Sequence, residues 1–329
     1  LVGLVVGAIG GCSIFQTTYG QPLGKTIFHS GVPIRQVLFN EDGSLWVLPS
    51  RSTRILRYDQ AGNIIGGFDF STTAGLPEEA RISVYDMDMG ADGDLYVLVG
   101  AVNPVSSEIA SYFIRLQNGD PELIELAEPM AAFKGRVDHK GNLYVLGLDE
   151  KTLRRAEKKV LKDRVPVVHK FAPNGAYLTS LVSMDLDAST EEAYTSTIAS
   201  PLQHPGNFAV GPNGEVWILW FLFPPPAGGG PLPSKLLNIG FDGTRMNPPT
   251  VNRPGCFVDG LFEQVPMSEV RFSWHCSEDA TTIVTDQSGR VLYRGYSAGR
   301  IFAFNDDVLI TSGLGKIPGR YSVLALARK

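Results

Sequence analysis

Residues 91–100 read ADGDLYVLVG, a tight polar turn around Gly93 followed by an apolar run that contains Tyr, Val and Leu. Closely similar stretches recur along the chain. They are EDGSLWVLPS at 41–50, HKGNLYVLGL at 139–148, PNGEVWILWF at 212–221 and a weaker copy, QSGRVLYRGY, at 287–296. A Gly-containing turn between alternating apolar segments is the sequence signal of a β-hairpin. The recurrence therefore indicates a repeated antiparallel unit.

Each copy is flanked by further strand-like segments. Alternating segments precede the copies at 34–40, 84–90, 133–138, 207–211 and 281–286, and strand–turn–strand segments follow them at 54–68, 111–126, 167–181, 235–246 and 300–312. Four-stranded units repeated around an axis predict an all-β fold, a β-propeller of four-stranded antiparallel blades in a single domain. We prefer six blades, with five as the alternative. The strand candidates left over at 25–30 and 320–328 come from opposite ends of the chain and would together close a final blade.

The pattern D-x-x-G-x-L-Y-V in these units resembles the NHL-repeat family of six-bladed β-propellers. The resemblance extends over about residues 34–312 and departs from the family in its long spacers and weak fifth copy. Some enzymes of similar fold hold a metal near the ring axis with His, Asp or Glu. The resemblance therefore implies a ring with a central channel and keeps an enzymatic function open.

The composition limits the class of partner. The 36 Gly and 22 Pro residues of the 329-residue chain predict many turns, and the net charge is −5. Nucleic-acid binding requires clustered positive charge, so nucleic acid is not expected as a partner.

The N-terminal segment suggests export. Residues 1–11 carry no polar side chain and are too few to span a membrane, which takes roughly 20 residues. With Cys12 they resemble a bacterial lipobox, whose Cys receives a lipid; a plain secretory signal is the alternative. We expect a signal remnant at 1–12, a linker and closing strand at 13–33 and the propeller at 34–329. The protein would be extracytoplasmic: anchored to the outer membrane through a lipid on Cys12, periplasmic or secreted.

Cys256 and Cys276 are the two remaining cysteines. An even number is typical of an oxidising compartment, so we predict a disulfide between them, with two buried free thiols as the alternative.

The long insertions define a working face. They fall at 71–83, 100–110, 148–166, 184–206, 222–234 and 247–280. All lie between the second and third strands of a predicted blade or between blades, connections that share one face of the ring. Insertions confined to one face usually mark the functional surface. We expect a protein or a small polar ligand to bind there.

Alignment of the predicted first strands on their turns gives a ring of polar residues near the mouth of the channel. The ring contains Gln36, Asp86, Lys134, Asn207 and Thr282, and the next inward positions are Leu38, Asp88, Arg136, Ala209 and Val284. Such a ring can hold a polar ligand or an ion. The alternative is a set of structural ion pairs, Asp86 with Lys134 and Asp88 with Arg136.

His204 and His275 fall in the predicted insertions, where a divalent metal is one hypothesis because imidazole is a common metal ligand. Residues 150–164, EKTLRRAEKKVLKDR, are predicted to form a basic amphipathic helix. The chain contains neither G-x-S-x-G nor H-E-x-x-H.

Three functions follow from these features. The preferred one is a non-catalytic binding propeller. The alternatives are a lyase or metal-dependent ester or lactone hydrolase acting at the channel mouth, and a structural subunit of an extracellular assembly.

Overall fold

The computed structural model describes most of the chain as β-strand. The described residues are 25–152, 164–185, 208–211, 213–221, 234–239, 245–246, 255–263, 270–276, 281–296, 301–304, 308–312 and 321–327. Within them, 24 strands form six four-stranded antiparallel sheets, which we call blades 1 to 6. The predicted all-β propeller of four-stranded antiparallel blades is confirmed.

The first three blades are continuous in sequence. They comprise β2 (Ile34–Phe39), β3 (Leu45–Pro49), β4 (Arg54–Tyr58) and β5 (Ile64–Asp69) in blade 1; β6 (Arg81–Met89), β7 (Leu95–Val102), β8 (Ile109–Gln117) and β9 (Asp120–Glu125) in blade 2; and β10 (Met130–Val137), β11 (Leu143–Asp149), β12 (Arg164–Phe171) and β13 (Tyr177–Asp185) in blade 3.

The last blade combines both ends of the chain. Blades 4 to 6 comprise β14 (Phe208–Val210), β15 (Val216–Phe221), β16 (Ser234–Ile239) and β17 (Arg245–Met246); β18 (Cys256–Glu263), β19 (Val270–Cys276), β20 (Thr281–Thr285) and β21 (Val291–Tyr296); and β22 (Ile301–Phe304), β23 (Val308–Ser312) and β24 (Tyr321–Ala327) with β1 (Lys25–Ser30). The antiparallel pairing of β1 with β24 joins the two terminal strands, as the sequence predicted.

The first strands of the blades close a ring. Each of β2, β6, β10, β14, β18 and β22 contacts the first strand of the next blade, and β22 contacts β2. The core lies between blades, as the interface of blades 2 and 3 shows: Leu98 and Phe113 pack against Ala132, Val145 and Phe171.

The recurrent stretch, 139–148 in blade 3 and its copies in the other units, is called the phrase from here on, and it forms one kind of turn. In blade 3, Asp138 N–H donates to Asn142 O at 3.0 Å and Gly141 N–H donates to Asp138 O at 2.9 Å. The Asp138 carboxylate also accepts from Lys140 N and Asn142 N, each at 2.9 Å. Gly141 has φ +76°, a left-handed conformation that favours glycine. The same two backbone bonds close the turns at 40–44, 59–63, 90–94, 172–176, 211–215 and 286–290.

The aromatic residue of the phrase belongs to a cross-strand cluster. In blade 2, Arg115 lies over the Tyr96 ring, 5.7 Å from its centroid, and pairs with Asp92 at 2.8 Å and Asp94 at 2.7 Å. The corresponding groups are Trp46, Arg57 and Asp42 in blade 1 and Tyr144, Lys170 and Asp138 in blade 3. The phrase therefore encodes the turn and the contacts that hold the third strand beside it.

The strands of the fifth predicted unit were assigned to the wrong positions in their blades. Residues 281–285 are the third strand of blade 5 rather than a first strand, and 301–312 belong to blade 6. The predicted insertion at 247–280 contains β18 and β19. The cause is the shared turn chemistry: Asp286 and Gly289 close a third-to-fourth turn with the same bonds as a first-to-second turn, whereas β18 and β19 are joined without a Gly turn.

The predicted disulfide is confirmed. Cys256 and Cys276 are directly paired residues of β18 and β19, with Cα atoms 4.0 Å apart, and their sulfur atoms are bonded. The bridge fixes the start of β18 to the end of β19.

Two turn glycines allow a test of how blades contact one another. Gly175 (φ +84°) and Gly119 (φ +93°) are both left-handed, so alanine is strained at either position. A Cβ at Gly175 would also overlap the carbonyl oxygen of Glu125 in blade 2, whereas a Cβ at Gly119 has no neighbour within 4 Å. We expect Gly175→Ala to lower the free energy of unfolding by about 2 kcal/mol more than Gly119→Ala, measured by urea denaturation. Equal losses would contradict the observed contact between blades.

Candidate functional site at the channel mouth

The two faces of the ring differ in their connections. The first-to-second and third-to-fourth connections share one end of every antiparallel blade, and none spans more than six residues. We call this the short-turn face. The opposite face, the long-loop face, carries the connections longer than six residues, at 70–80, 150–163, 186–207, 222–233, 247–255 and 313–320. The first strand of each blade begins at the long-loop face, and we call this end of the ring axis the mouth.

A β-bulge recurs near the start of the first strands. The pairing register skips one residue in β2, β6, β10, β18 and β22, and the extra residues are Arg35, Tyr85, Phe133, Asp259 and Phe302. Bulges commonly redirect side chains at the rim of a barrel or next to a functional site. Sequence analysis missed these positions because a bulge is defined by pairing with the neighbouring strand, which local alternation does not reveal.

Asp86 is the centre of a buried charge cluster between blades 2 and 3. Its carboxylate is fully buried; Oδ2 lies 2.5 Å from Arg136 Nη1 and accepts from Gly135 N–H at 3.1 Å. Oδ1 lies 3.6 Å from the fully buried Lys134 Nζ. The predicted proximity of Asp86 and Lys134 is therefore present, and Arg136 also pairs with Asp86.

Gln36 and Asp88 bind the backbone of the next blade. The Gln36 amide donates to Met87 O at 2.7 Å and accepts from Met87 N–H at 3.0 Å. Asp88 Oδ2 accepts from Val137 N–H at 2.8 Å. Both side chains, on β2 and β6 respectively, act as structural links across blade interfaces.

Arg35 spans the mouth. From blade 1, Nη1 donates to Val84 O in blade 2 at 3.3 Å and Nη2 donates to Phe133 O in blade 3 at 3.5 Å. The residue is half-buried, so it remains in contact with solvent. Sequence analysis did not select Arg35.

The electrostatics of the cluster keep Asp86 ionised. Burial alone would raise the pKa of Asp86, but the positive charges of Arg136, Lys134 and Arg35 outweigh it, so the pKa lies below its ordinary value. Burial lowers the pKa of Arg35, against the opposing effects of Asp86 and Tyr85. Burial raises the pKa of Tyr85, and Arg35 opposes that rise.

Several predicted site residues fall elsewhere. Thr282 lies on β20, the third strand of blade 5, so its assignment to the ring of first strands was wrong. The third-to-fourth turn that follows β20 has the same bonds as a first-to-second turn, which caused the error. His275 is a half-buried residue of β19, next to the bridged Cys276, rather than part of an insertion. Asn207, His204 and Cys12 lie outside the described residues.

The residues that the structure describes contain no group of three or more His, Cys, Asp or Glu side chains able to hold a metal ion. Within those residues, no helix has the length and apolarity to cross a membrane. Residues 150–152 are helical, and Asp149 accepts from Thr152 N–H at 2.7 Å; the rest of the predicted basic helix, except Arg164 on β12, lies outside the described ranges.

The similarity of this chain to known proteins is limited to the fold. Neither a protein-family model nor a curated protein sequence matches the chain. Among solved structures, it is similar to a gluconolactonase from Xanthomonas campestris, with 14% identity, coverage of 92% of this chain and 89% of that one, and a TM-score of 0.49. It is also similar to virginiamycin B lyase from Staphylococcus aureus (10% identity, 92% and 98% coverage, TM-score 0.44). A third similar structure is an α-L-arabinanase from Penicillium chrysogenum, with 14% identity, coverage of 93% of this chain and 98% of that one, and a TM-score of 0.46.

Asp86→Asn tests the buried cluster. The substitution removes the negative charge beside Lys134 and Arg136, so we expect the free energy of unfolding at neutral pH to fall by about 3–5 kcal/mol. The folded pKa of Asp86 lies below that of the unfolded chain, about 3.9. Its stabilisation is therefore complete above that value and is lost as the pH falls through the folded pKa.

Wild type should accordingly lose more stability than Asp86→Asn on acidification below about pH 4, measured by urea denaturation at several pH values. Asp120→Asn, a change at an exposed carboxylate, serves as the control. If Asp86→Asn matched this control at neutral pH, Asp86 would not stabilise the ring.

Proposed function

We propose that the protein is a non-catalytic, extracytoplasmic β-propeller that binds a ligand or a protein partner through its long-loop face. The observation that carries this proposal is the difference between the faces, since every connection longer than six residues between the described strands lies on one side of the ring. Loops that vary in length on a rigid scaffold are a common way to build a binding surface. Attachment to a membrane through a lipid on Cys12 is part of the same proposal.

The position of Arg35 supports the binding of a ligand with an anionic group at the mouth. Its guanidinium is oriented by carbonyl oxygens of two blades and keeps solvent contact. Below it, the described first-strand side chains around Asp86 add the charges of Lys134 and Arg136. An oriented guanidinium is well suited to bind a carboxylate or phosphate, whose planar or tetrahedral oxygens match its N–H donors.

The polar network below Arg35 supports binding rather than catalysis. Asp86, Gln36 and Asp88 are engaged in links between blades, so none of them serves as a general base facing a substrate. The enzyme alternatives depend on the polar ring at the mouth together with His204 or His275. His204 lies outside the described residues, and His275 is a half-buried residue of β19.

The proposal can be tested with a panel of small anions. Acetate, citrate, galacturonate and inorganic phosphate, with neutral glucose for comparison, would be titrated against the full chain and followed by thermal shift. We expect at least one anion to raise the melting temperature and Arg35→Gln to weaken its binding by about tenfold or more, because hydrogen bonds to charged groups are worth about 1.5–3 kcal/mol.

Arg290→Gln is the matched control, since Arg290 is an exposed arginine in a turn of the short-turn face. Equal loss of binding in both variants, or binding that Arg35→Gln leaves intact, would contradict recognition at the mouth. Metal-dependent turnover of an ester, lactone or glycan in the same panel would contradict the non-catalytic assignment.

A further inference from the structure

We propose that the outer edge of blade 1, strand β5, is a self-association surface along which a second copy of this chain pairs in antiparallel fashion. The proposal is independent of the binding function at the channel mouth. It concerns the outer rim of the ring. The partner is a second copy of this chain, which we infer from the exposed residues and the charges of the β5 edge.

β5 presents an apolar edge whose one irregularity is a bulge at Ile65, the residue that the pairing with β4 skips. It is bonded to β4 on one side and forms the outer end of its sheet. Ile64 and Ile65 are 60% and 53% exposed, and Gly66 and Gly67 follow them in the exposed part of the strand. Natural proteins usually protect such edges with charged residues or proline. The outer strand of blade 2, by comparison, begins Asp120-Pro121-Glu122.

Gly66, which pairs with Arg57 of β4, is not required by the packing of blade 1. A Cβ at this position would have one neighbour, Arg57 Cβ, at 3.9 Å, an ordinary contact, and the backbone is not left-handed. At Gly67, in contrast, a Cβ would come within 2.6 Å of Ile55 O. Glycine inside a strand weakens it and often marks a place where another backbone approaches closely. The packing within blade 1 therefore requires Gly67, whereas Gly66 has room for a side chain and leaves the strand backbone open to an approaching chain.

The charges at the two ends of the edge are complementary. Beside the short-turn end lie Asp42 and Asp59 with Arg57, a net charge of −1, around a surface groove of about 330 Å³ that Ile65 also lines. Beside the long-loop end lie Arg51 and Arg54 with Asp69, a net charge of +1, and the Arg54 side chain is 69% exposed.

Antiparallel pairing about a two-fold axis near Gly66 places the acidic end of each copy against the basic end of the other. A two-fold contact of this kind is self-complementary and closes as a dimer. Surface ion pairs contribute little energy individually, so the charges set the orientation while the isoleucines and the strand pairing supply the affinity. The two copies of blade 1 would then form one continuous eight-stranded sheet.

The test is the oligomeric state of the full chain in solution. Sedimentation velocity over a range of concentrations should show wild type with twice the mass of one chain. Ile65→Lys places a charge on the edge and should weaken the dimer at least tenfold. Leu178→Lys is the matched control, because Leu178 is 51% exposed at the equivalent place on the outer strand of blade 3. It should leave the dimer intact.

A second measurement reports the axis directly. In a Cys12→Ser background, Gly66→Cys has room for its side chain, and mild oxidation should link two copies through position 66, whereas Leu178→Cys should remain monomeric on non-reducing gels. A monomeric wild type at every concentration would overturn the proposal. So would a dimer that Ile65→Lys leaves unchanged.

Discussion

Closure of the ring depends on the pairing of β1 with β24, since these strands come from opposite ends of the chain. Five blades are built from consecutive strands, but the sixth has its first three strands from residues after 300 and its fourth from residues 25–30. Because blade 6 contains strands from both ends of the chain, its first strand, β22, contacts blade 1 through β2 as well as blade 5 through β18. The six first strands form a closed ring, and within it the Arg35 side chain at the mouth reaches from blade 1 to blades 2 and 3.

The ring of first strands is stabilised by polar side chains that substitute for backbone pairing between blades. Neighbouring first strands are not hydrogen-bonded to each other as a sheet, yet Gln36 and Asp88 donate to or accept from the next strand in the manner of a backbone. Asp86 adds a buried carboxylate between two cations. Buried ion pairs of this kind are costly to break and contribute little net stability compared with apolar packing, and we infer that they help to fix which blades meet and in what register.

A feature could be predicted from the sequence when neighbouring residues specify it, and it could not when contacts with distant strands specify it. The turn phrase is local: glycine at positive φ and an Asp that caps its own turn are readable in five consecutive residues, and the fold could be inferred from them. The same locality caused the error in blade 5, because Asp286 and Gly289 look alike in either hairpin of a blade. The disulfide followed from parity alone. Arg35 could not be found, since its importance arises from a bulge and from carbonyl oxygens 49 and 98 residues away.

The most direct test of the account is a cross-link across the closing pair of strands. Positions 29 and 322 are partners in the β1–β24 register, and paired residues of antiparallel strands lie within the Cα separation that a disulfide needs. With cysteines at both positions in a Cys12→Ser background, mass spectrometry of the non-reduced protein should find the two peptides linked within one chain. If both thiols remained free in the folded protein, the ring would not close through its two ends.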